Sequence, residues 1–107
     1  MLNKIVKVTI DRQIGTCHPN HSDIIYPINY GYIEGIIAPD GEEQDAYILG
    51  INYPLKKFEG KVIAIVHRFD DNEEKWVVAS ANAHYTKEEI VKQINFQEQF
   101  FKYKIIM

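Results

Sequence analysis

The sequence predicts one small, mainly β (α+β) domain: a five-stranded, OB-like β-barrel, closed or partly open, with a C-terminal helix packed on it. Polar and apolar residues alternate near the N-terminus, as in a half-buried strand. Several short segments rich in β-branched and aromatic residues follow, separated by turn residues, and a helix signal occurs only near the end. Because 107 residues is the length of one domain, we interpret residues 1–107 as a single domain.

The first strand is predicted from the alternation of Val6, Val8 and Ile10 with polar neighbours. The segment Ile24–Ile33 is also strand-like, but Pro27 interrupts it and a glycine loosens it. We therefore expect an irregular or edge strand there.

The later elements follow from apolar runs and turn residues. Strands are predicted at Ala46–Ile51, Val62–Val66 and Trp76–Ala79, of which Val62–Val66 is apolar on both faces and should be central. Non-strand connections are predicted at Gly15–Ser22, Ala38–Gly41, Pro54–Gly60 and Asp70–Glu74.

A helix is predicted to begin after Thr86, because Thr86 and Glu89 have the spacing of a capping box. Apolar residues then recur at helical spacing, at Ile90, Val91, Ile94 and Phe101. The apolar C-terminus, Phe100–Met107, is expected to pack on the barrel or on a second subunit, which makes a homo-oligomer the expected state.

Composition narrows the classes of function. The net charge of −3 disfavours nucleic-acid binding through a broad basic patch. No stretch is long and apolar enough to span a membrane, and the N-terminus does not resemble a signal peptide. The single cysteine, Cys17, cannot form an internal disulfide, so we expect a reducing, cytoplasmic location.

The segment Tyr26–Asp45 carries the strongest chemical signal. Four acidic residues fall within six positions, at Asp40, Glu42, Glu43 and Asp45, beside a glycine that permits a sharp turn. Converging carboxylates favour a hard cation such as Mg²⁺ or Ca²⁺. Taken alone, the same pattern also suits a solvated surface turn.

The stretch Tyr26-Pro-Ile-Asn-Tyr-Gly-Tyr-Ile33, followed by Asp40-Gly-Glu-Glu-Gln-Asp45, resembles the paired motif of the family I inorganic pyrophosphatases. That family has Tyr-Pro-x-Asn-Tyr-Gly-[Phe/Tyr]-Ile and then Asp-Gly-Asp-Pro-x-Asp. Here Glu42 replaces the middle aspartate and Glu43 replaces the proline. The resemblance implies Mg²⁺-dependent hydrolysis of pyrophosphate, with Mn²⁺ as an alternative ion.

The resemblance also assigns roles to individual residues. The metal ligands would be Asp11, Asp40, Glu42, Asp45, Asp70 and Glu73. The catalytic set would be Asp40, Glu42, Tyr30 and Lys75, with Glu42 nearest the attacking water and with Tyr30 and Lys75 also binding substrate.

The interval from Gly15 to Tyr26 is too short for the family's hairpin with its phosphate-binding lysine and arginine. The candidates to replace that pair are Arg12, Arg68, His18 and His21, because arginine binds phosphate with two parallel hydrogen bonds and histidine offers one donor. Three of them have a structural alternative: a surface ion pair between Arg68 and Asp70, and, for His18 and His21, two histidines in an ordinary polar loop.

Two further aromatic residues of the motif, Tyr26 and Tyr32, are expected in the core or at an interface, and Trp76 in the core. Two other functions stay open. The site could accept a different phosphoanhydride, or the chain could be a non-catalytic barrel that binds metal or phosphate.

Overall fold

The structure is a computed structural model that describes residues 2–71 and 73–107. Met1 and Asn72 lie outside the described residues, so the acidic turn predicted at Asp70–Glu74 is described only at its other positions.

The elements are eight strands and a helix, as counted over the described ranges. The strands are β1 (Ile5–Arg12), β2 (Cys17–His18), β3 (His21–Ile25), β4 (Asn29–Ile37), β5 (Glu43–Ile48), β6 (Lys57–Arg68), β7 (Glu74–Ala79) and β8 (Tyr103–Ile106), and the helix α1 (Lys87–Glu98) lies between β7 and β8.

Five of the strands close into a barrel in the order β1-β4-β5-β7-β6, and β6 pairs back onto β1. All neighbours are antiparallel except β5 and β7. The 12-residue strand β6 has three partners: β7, β1 along its first five residues, and β8 along its last four. The predicted five-stranded barrel with a helix on it is confirmed.

Two apolar layers hold the barrel together. The interior is filled by side chains from all five barrel strands, among them Val8, Ile48 and Trp76. A second cluster covers the outer face, where Tyr30, Tyr47 and neighbouring barrel side chains pack against the helix. The core position predicted for Trp76 is confirmed.

The helix begins as the capping box predicts: Thr86 and Glu89 exchange side-chain to backbone hydrogen bonds. Ile90 and Ile94 are fully buried against the barrel. The helix ends at Glu98, so Phe101, which the periodicity had assigned to it, lies beyond its last residue. That helix has 12 residues, and the described part of the chain has no helix long and apolar enough to cross a membrane.

The edge position predicted for Ile24–Ile33 is wrong. Pro27 lies in the break between β3 and β4, and β4 is paired on both sides, with β1 and β5. Gly31 serves this central position, because a Cβ there would lie 1.9 Å from the carbonyl oxygen of Thr9 on β1. The glycine permits close approach of two strands; it does not weaken the strand.

Three other segments differ from the prediction. Gly15–Ser22 includes β2 and the start of β3, which form a small hairpin, and Pro54–Gly60 includes the start of β6. The C-terminal segment adds the unpredicted strand β8 to the sheet, although Phe100 and Met107 remain exposed. The pairings of β6 with β1 and with β8 join segments that are distant in sequence, which local sequence patterns do not encode.

Candidate active site

A cleft of about 680 Å³ opens beside the C-terminal end of the helix. Its lining comes from β1, the β2–β3 hairpin, β4, β5, the end of β6, the start of β7 with the residue before it, the end of α1 and the residues that follow α1. It includes nine of the predicted site residues: Asp11, Arg12, His18, His21, Tyr30, Asp45, Arg68, Glu73 and Lys75.

A buried ammonium group organises one wall. Lys75 on β7 lies beside Asp45 on β5, because the two residues are partners in the parallel pairing of these strands. Its Nζ donates to Asp45 Oδ2 at 2.6 Å and to Tyr30 Oη at 3.0 Å. Burial raises the pKa of the Tyr30 phenol well above its ordinary value, and the charge of Asp45 adds to this shift. The phenol therefore keeps its proton and can donate it to an anionic ligand.

Asp11 reaches the cleft through a β-bulge. The register between β1 and β4 shifts between Ile10 and Arg12, so Asp11 is the extra residue of β1. Burial raises the pKa of the Asp11 carboxyl; the positive charge of Arg12 offsets part of this, and the negative charge of Asp45 adds to it. Asp11 and Asp45 both line the cleft, and carboxylate oxygens of this kind can bind a hard cation.

Arg12 is held over the aromatic floor of the cleft. Its Nη1 donates to Tyr26 Oη at 2.6 Å, and its Cζ lies 5.7 Å and 5.4 Å from the ring centroids of Tyr26 and Tyr30. Among the described contacts this is its one side-chain hydrogen bond, and Arg12 also lines the cleft. The guanidinium can therefore bind an anion.

Arg68 is fixed by carboxylates instead. It donates from Nε and Nη2 to the two carboxylate oxygens of Glu98, at 2.8 and 2.6 Å. It also donates from Nη1 to Glu73 at 2.7 Å and to Asp71 at 3.1 Å. The predicted ion pair with Asp70 is therefore wrong in its partner. The Asp70 carboxylate accepts from the backbone N–H of Lys102 at 2.8 Å.

Comparison with known proteins assigns the chain that forms this cleft to a family. The family model described as inorganic pyrophosphatase matches residues 3–106. This chain belongs to the inorganic pyrophosphatase family. The family and the fold make it an inorganic diphosphatase and support hydrolysis of pyrophosphate as its activity.

Solved structures agree on the fold. The inorganic pyrophosphatase from Neisseria gonorrhoeae matches with a TM-score of 0.67 at 24% identity, over 90% of this chain and 70% of that one. The Ehrlichia chaffeensis enzyme matches with 0.73 at 14% identity, over 97% and 85%. The Thermus thermophilus enzyme matches with 0.63 at 17% identity, over 96% and 80%. None of the curated proteins matches the chain in sequence.

The fold places the residues of the pyrophosphatase motif in two different locations. Tyr30 and Asp45 line the cleft, whereas Asp40 and Glu42 lie on the exposed β4–β5 loop, outside the cleft lining. There the Asp40 carboxylate accepts from the backbone N–H of Glu42 at 3.0 Å, and Gly41 adopts a φ of 88°. The glycine turn predicted between the two carboxylates is therefore present.

The oxygen donors of the cleft fit Mg²⁺, because this ion commonly binds through one or two carboxylates, several waters and the phosphates of the substrate. The cleft carboxylates that are at least a third exposed are Asp11, Asp23 and Asp45. Across residues 2–71 and 73–107, no three His, Cys, Asp or Glu side chains converge closely enough to hold an ion by themselves.

The two histidines occupy the hairpin that forms the rim. The rings of His18 and His21 lie 5.1 Å apart, and His18 stacks on Tyr26 at 6.1 Å. Partial burial lowers the pKa of His18, and the charges of Arg12 and His21 lower it further. The neutral imidazole accepts the backbone N–H of Asn20 at Nδ1, which leaves Nε2 as its donor.

Sequence reasoning missed a buried polar chain beneath the cleft. Tyr26 donates to Gln97, Gln97 donates to Tyr47, and Tyr47 donates to Glu98, at 2.9, 2.6 and 2.6 Å. This chain joins Arg12 at one end to Arg68 at the other. One signal was available: Gln97 and Glu98 continue the stripe of Ile90 and Ile94 at spacings of three and four, so two polar residues stand on the buried helix face.

Proposed function

We propose that this pyrophosphatase hydrolyses inorganic pyrophosphate in the cleft between β1, β4, β5 and β7, with Mg²⁺ as the preferred ion and Mn²⁺ as its substitute. The observation that carries the proposal is the contact group of Asp45, Lys75 and Tyr30 on the cleft wall. It combines a metal-binding carboxylate with two donors for phosphate oxygens, in a chain of the inorganic pyrophosphatase family.

Asp11 and Asp45 would hold the cation. When bound, Mg²⁺ neutralises charge on the phosphates and lowers the pKa of a coordinated water. The raised pKa of Asp11 reflects burial and the nearby Asp45, and a cation at this point would relieve that repulsion.

The donors of the cleft would orient the substrate. Lys75 and the protonated phenol of Tyr30 can donate to one phosphoryl group, and Arg12, which also lines the cleft, can donate to the other. Arg12 would thereby replace the cationic pair of the absent family hairpin. Arg68 is saturated by Glu98, Glu73 and Asp71, so we assign it to positioning and not to substrate binding.

Glu42 remains the proposed general base, on the strength of its place in the motif. A proton from the attacking water would pass to its carboxylate, and Asp40 in the same loop would complete the acidic environment. Both side chains stand on an exposed loop, so this role requires the loop to turn its carboxylates toward the cleft when substrate binds.

One observation favours a second candidate, the hydrolysis of a larger phosphoanhydride. A volume of about 680 Å³ is in the range of pockets that bury drug-sized ligands and exceeds the need of a bare diphosphate. We also propose that the chain forms a homo-oligomer through the exposed Phe100 and Met107.

Phosphate release from a panel of substrates separates the candidates. The panel contains inorganic pyrophosphate, tripolyphosphate, ADP and a diphosphate monoester of a simple alcohol, each with Mg²⁺. We expect the highest kcat/KM for inorganic pyrophosphate, and Arg12→Gln should lower it by at least about tenfold because a charge-assisted phosphate contact is lost. Lys56→Gln, which removes a charge outside the cleft, is the control. A higher kcat/KM for an organic diphosphate would replace the first candidate with the second.

A further inference from the structure

The buried polar chain beneath the cleft has a charged group at each of its ends. Arg12 donates to Tyr26 at one end, and Glu98 accepts from Tyr47 at the other. A guanidinium can only donate hydrogen bonds, and a carboxylate can only accept them. Glu98 is stable as a carboxylate because both of its oxygens accept from Arg68. The two ends therefore set the direction in which the hydrogens between them point.

Gln97 links the two tyrosines in the middle of this chain. Its Oε1 accepts from the Tyr26 hydroxyl at 2.9 Å, and its Nε2 donates to the Tyr47 hydroxyl at 2.6 Å. If the amide were turned over, the Tyr26 hydrogen would have no acceptor in the described part of the chain, because Arg12 is a donor. Tyr26 has no exposed surface, and a buried hydroxyl without an acceptor is unfavourable. Gln97 therefore keeps a single orientation.

This orientation decides what the Tyr26 hydroxyl presents to the cleft. Burial raises the pKa of the Tyr26 phenol, and the hydrogen bond and charge of Arg12 offset part of that rise, so the phenol stays neutral with one hydrogen. Because Gln97 takes up that hydrogen, the phenol oxygen is left to accept from Arg12, at 2.6 Å. An arginine side chain has many rotamers, and this contact limits them.

We propose that Gln97 and Tyr26 are positioning residues, which hold the guanidinium of Arg12 where it can bind a phosphoryl group of the substrate. This inference rests on the proposed function, because Arg12 is the donor to one phosphoryl group there. Without the Gln97 acceptor, the Tyr26 hydroxyl would turn toward water in the cleft, and Arg12 would lose its defined position. A displacement of about 1 Å in a group that positions substrate can cost on the order of 10²-fold in rate.

Steady-state hydrolysis of inorganic pyrophosphate by the full chain, with Mg²⁺, tests the proposal. Gln97→Met and Tyr26→Phe should each raise KM about tenfold and leave kcat within about twofold, because Arg12 contributes to substrate binding. A merely structural role would move the other constant, since a smaller folded fraction lowers the apparent kcat and leaves KM unchanged. Gln93→Met is the matched control: the same substitution, four residues earlier on α1 and outside the cleft lining, should leave both constants unchanged.

The same substitutions in an Arg12→Gln background complete the test. There, Gln97→Met should change KM less than about twofold, because the group that it positions is gone. Gln97 itself lines the cleft, and a direct contact with substrate would instead make the two effects multiply, which overturns the proposal.

Two further outcomes separate this inference from the proposed function. A wild-type KM in folded Gln97→Met, together with a raised KM in Arg12→Gln, overturns only the positioning role. Wild-type kinetics in Arg12→Gln remove Arg12 from substrate binding and overturn that part of the proposed function together with the inference. If Gln97→Met does not fold, Tyr26→Phe decides by the same criteria, alone and in the Arg12→Gln background.

Discussion

The pair formed by Arg68 and Glu98 should make a large contribution to stability, and Glu98→Gln tests it. Glu98 is fully buried at the C-terminal end of the helix, where both desolvation and the helix dipole disfavour a negative charge. Its two oxygens accept from Arg68 at 2.8 and 2.6 Å, and one of them also accepts from Tyr47 at 2.6 Å. The carboxylate is therefore stable there because three donors surround it.

The substitution keeps the shape and removes the charge. One oxygen becomes an amide nitrogen, which faces an N–H of Arg68 and cannot accept it, so at least one charge-assisted hydrogen bond is lost at about 1.5–3 kcal/mol. Breaking a buried pair costs about 3–5 kcal/mol, but Arg68 keeps Glu73 and Asp71. We therefore expect a loss of about 3 kcal/mol in the free energy of unfolding, with Tm lower by roughly 10–20 °C.

Urea unfolding followed by the fluorescence of Trp76, the single tryptophan, measures this loss. The residue is 6% exposed in the barrel, so its emission should shift when the barrel opens. Glu88→Gln, on an exposed position of the same helix, should leave the midpoint almost unchanged. A loss below about 1 kcal/mol in the free energy of unfolding of Glu98→Gln, with an unchanged m-value, would refute the large contribution of this pair to stability.

The remaining predictions concern the site and its pH dependence. Asp45→Asn should weaken Mg²⁺ or Mn²⁺ binding at least about tenfold in calorimetry, and unchanged binding would remove Asp45 from the metal site. Glu42→Gln should lower kcat by ~10²–10⁴-fold in phosphate release if Glu42 is the general base, and an unaffected kcat would exclude that role. Burial and the nearby Glu98 raise the pKa of Tyr47 well above 10.0 in the folded state, so its contribution to stability is complete below about pH 10 and is lost as the pH rises further. Tyr47→Phe should therefore reduce the steepness of alkaline unfolding, and an unaltered slope in urea midpoints from pH 9 to about 11 would contradict this assignment.

Local signals predicted much of the fold. The alternation in β1, the apolar run in β6 and the capping box at Thr86 each depend on residues close in sequence, and each is present in the structure. Tyr30 and Asp45 could be predicted as site residues because the motif fixes both residue type and spacing. The resemblance to the family also predicted Lys75 as a site residue. Its position beside Asp45, however, depends on the parallel pairing of β5 with β7.

The remaining features of the fold and the site depend on pairing between residues distant in sequence, so local signals could not predict them. Pro27 and Gly31 weaken strands locally and so predict an irregular or edge strand at Ile24–Ile33, yet Gly31 is what allows β1 and β4 to approach. Glu98 pairs with Arg68 across 30 positions, and no local pattern identifies a partner at that distance. Arg68 therefore looked like a surface residue beside Asp70, although its side chain is among the most buried charged groups of the described chain.

Release of phosphate from inorganic pyrophosphate by the purified chain tests the central claim most directly. The rate is measured with Mg²⁺, after removal of divalent ions with a chelator, and with Mg²⁺ in Asp45→Asn. The account predicts two phosphates released per pyrophosphate at a rate that requires Mg²⁺ and falls at least about a hundredfold in Asp45→Asn. Wild-type release at the uncatalysed rate with both Mg²⁺ and Mn²⁺, from a chain shown to be folded, would contradict it.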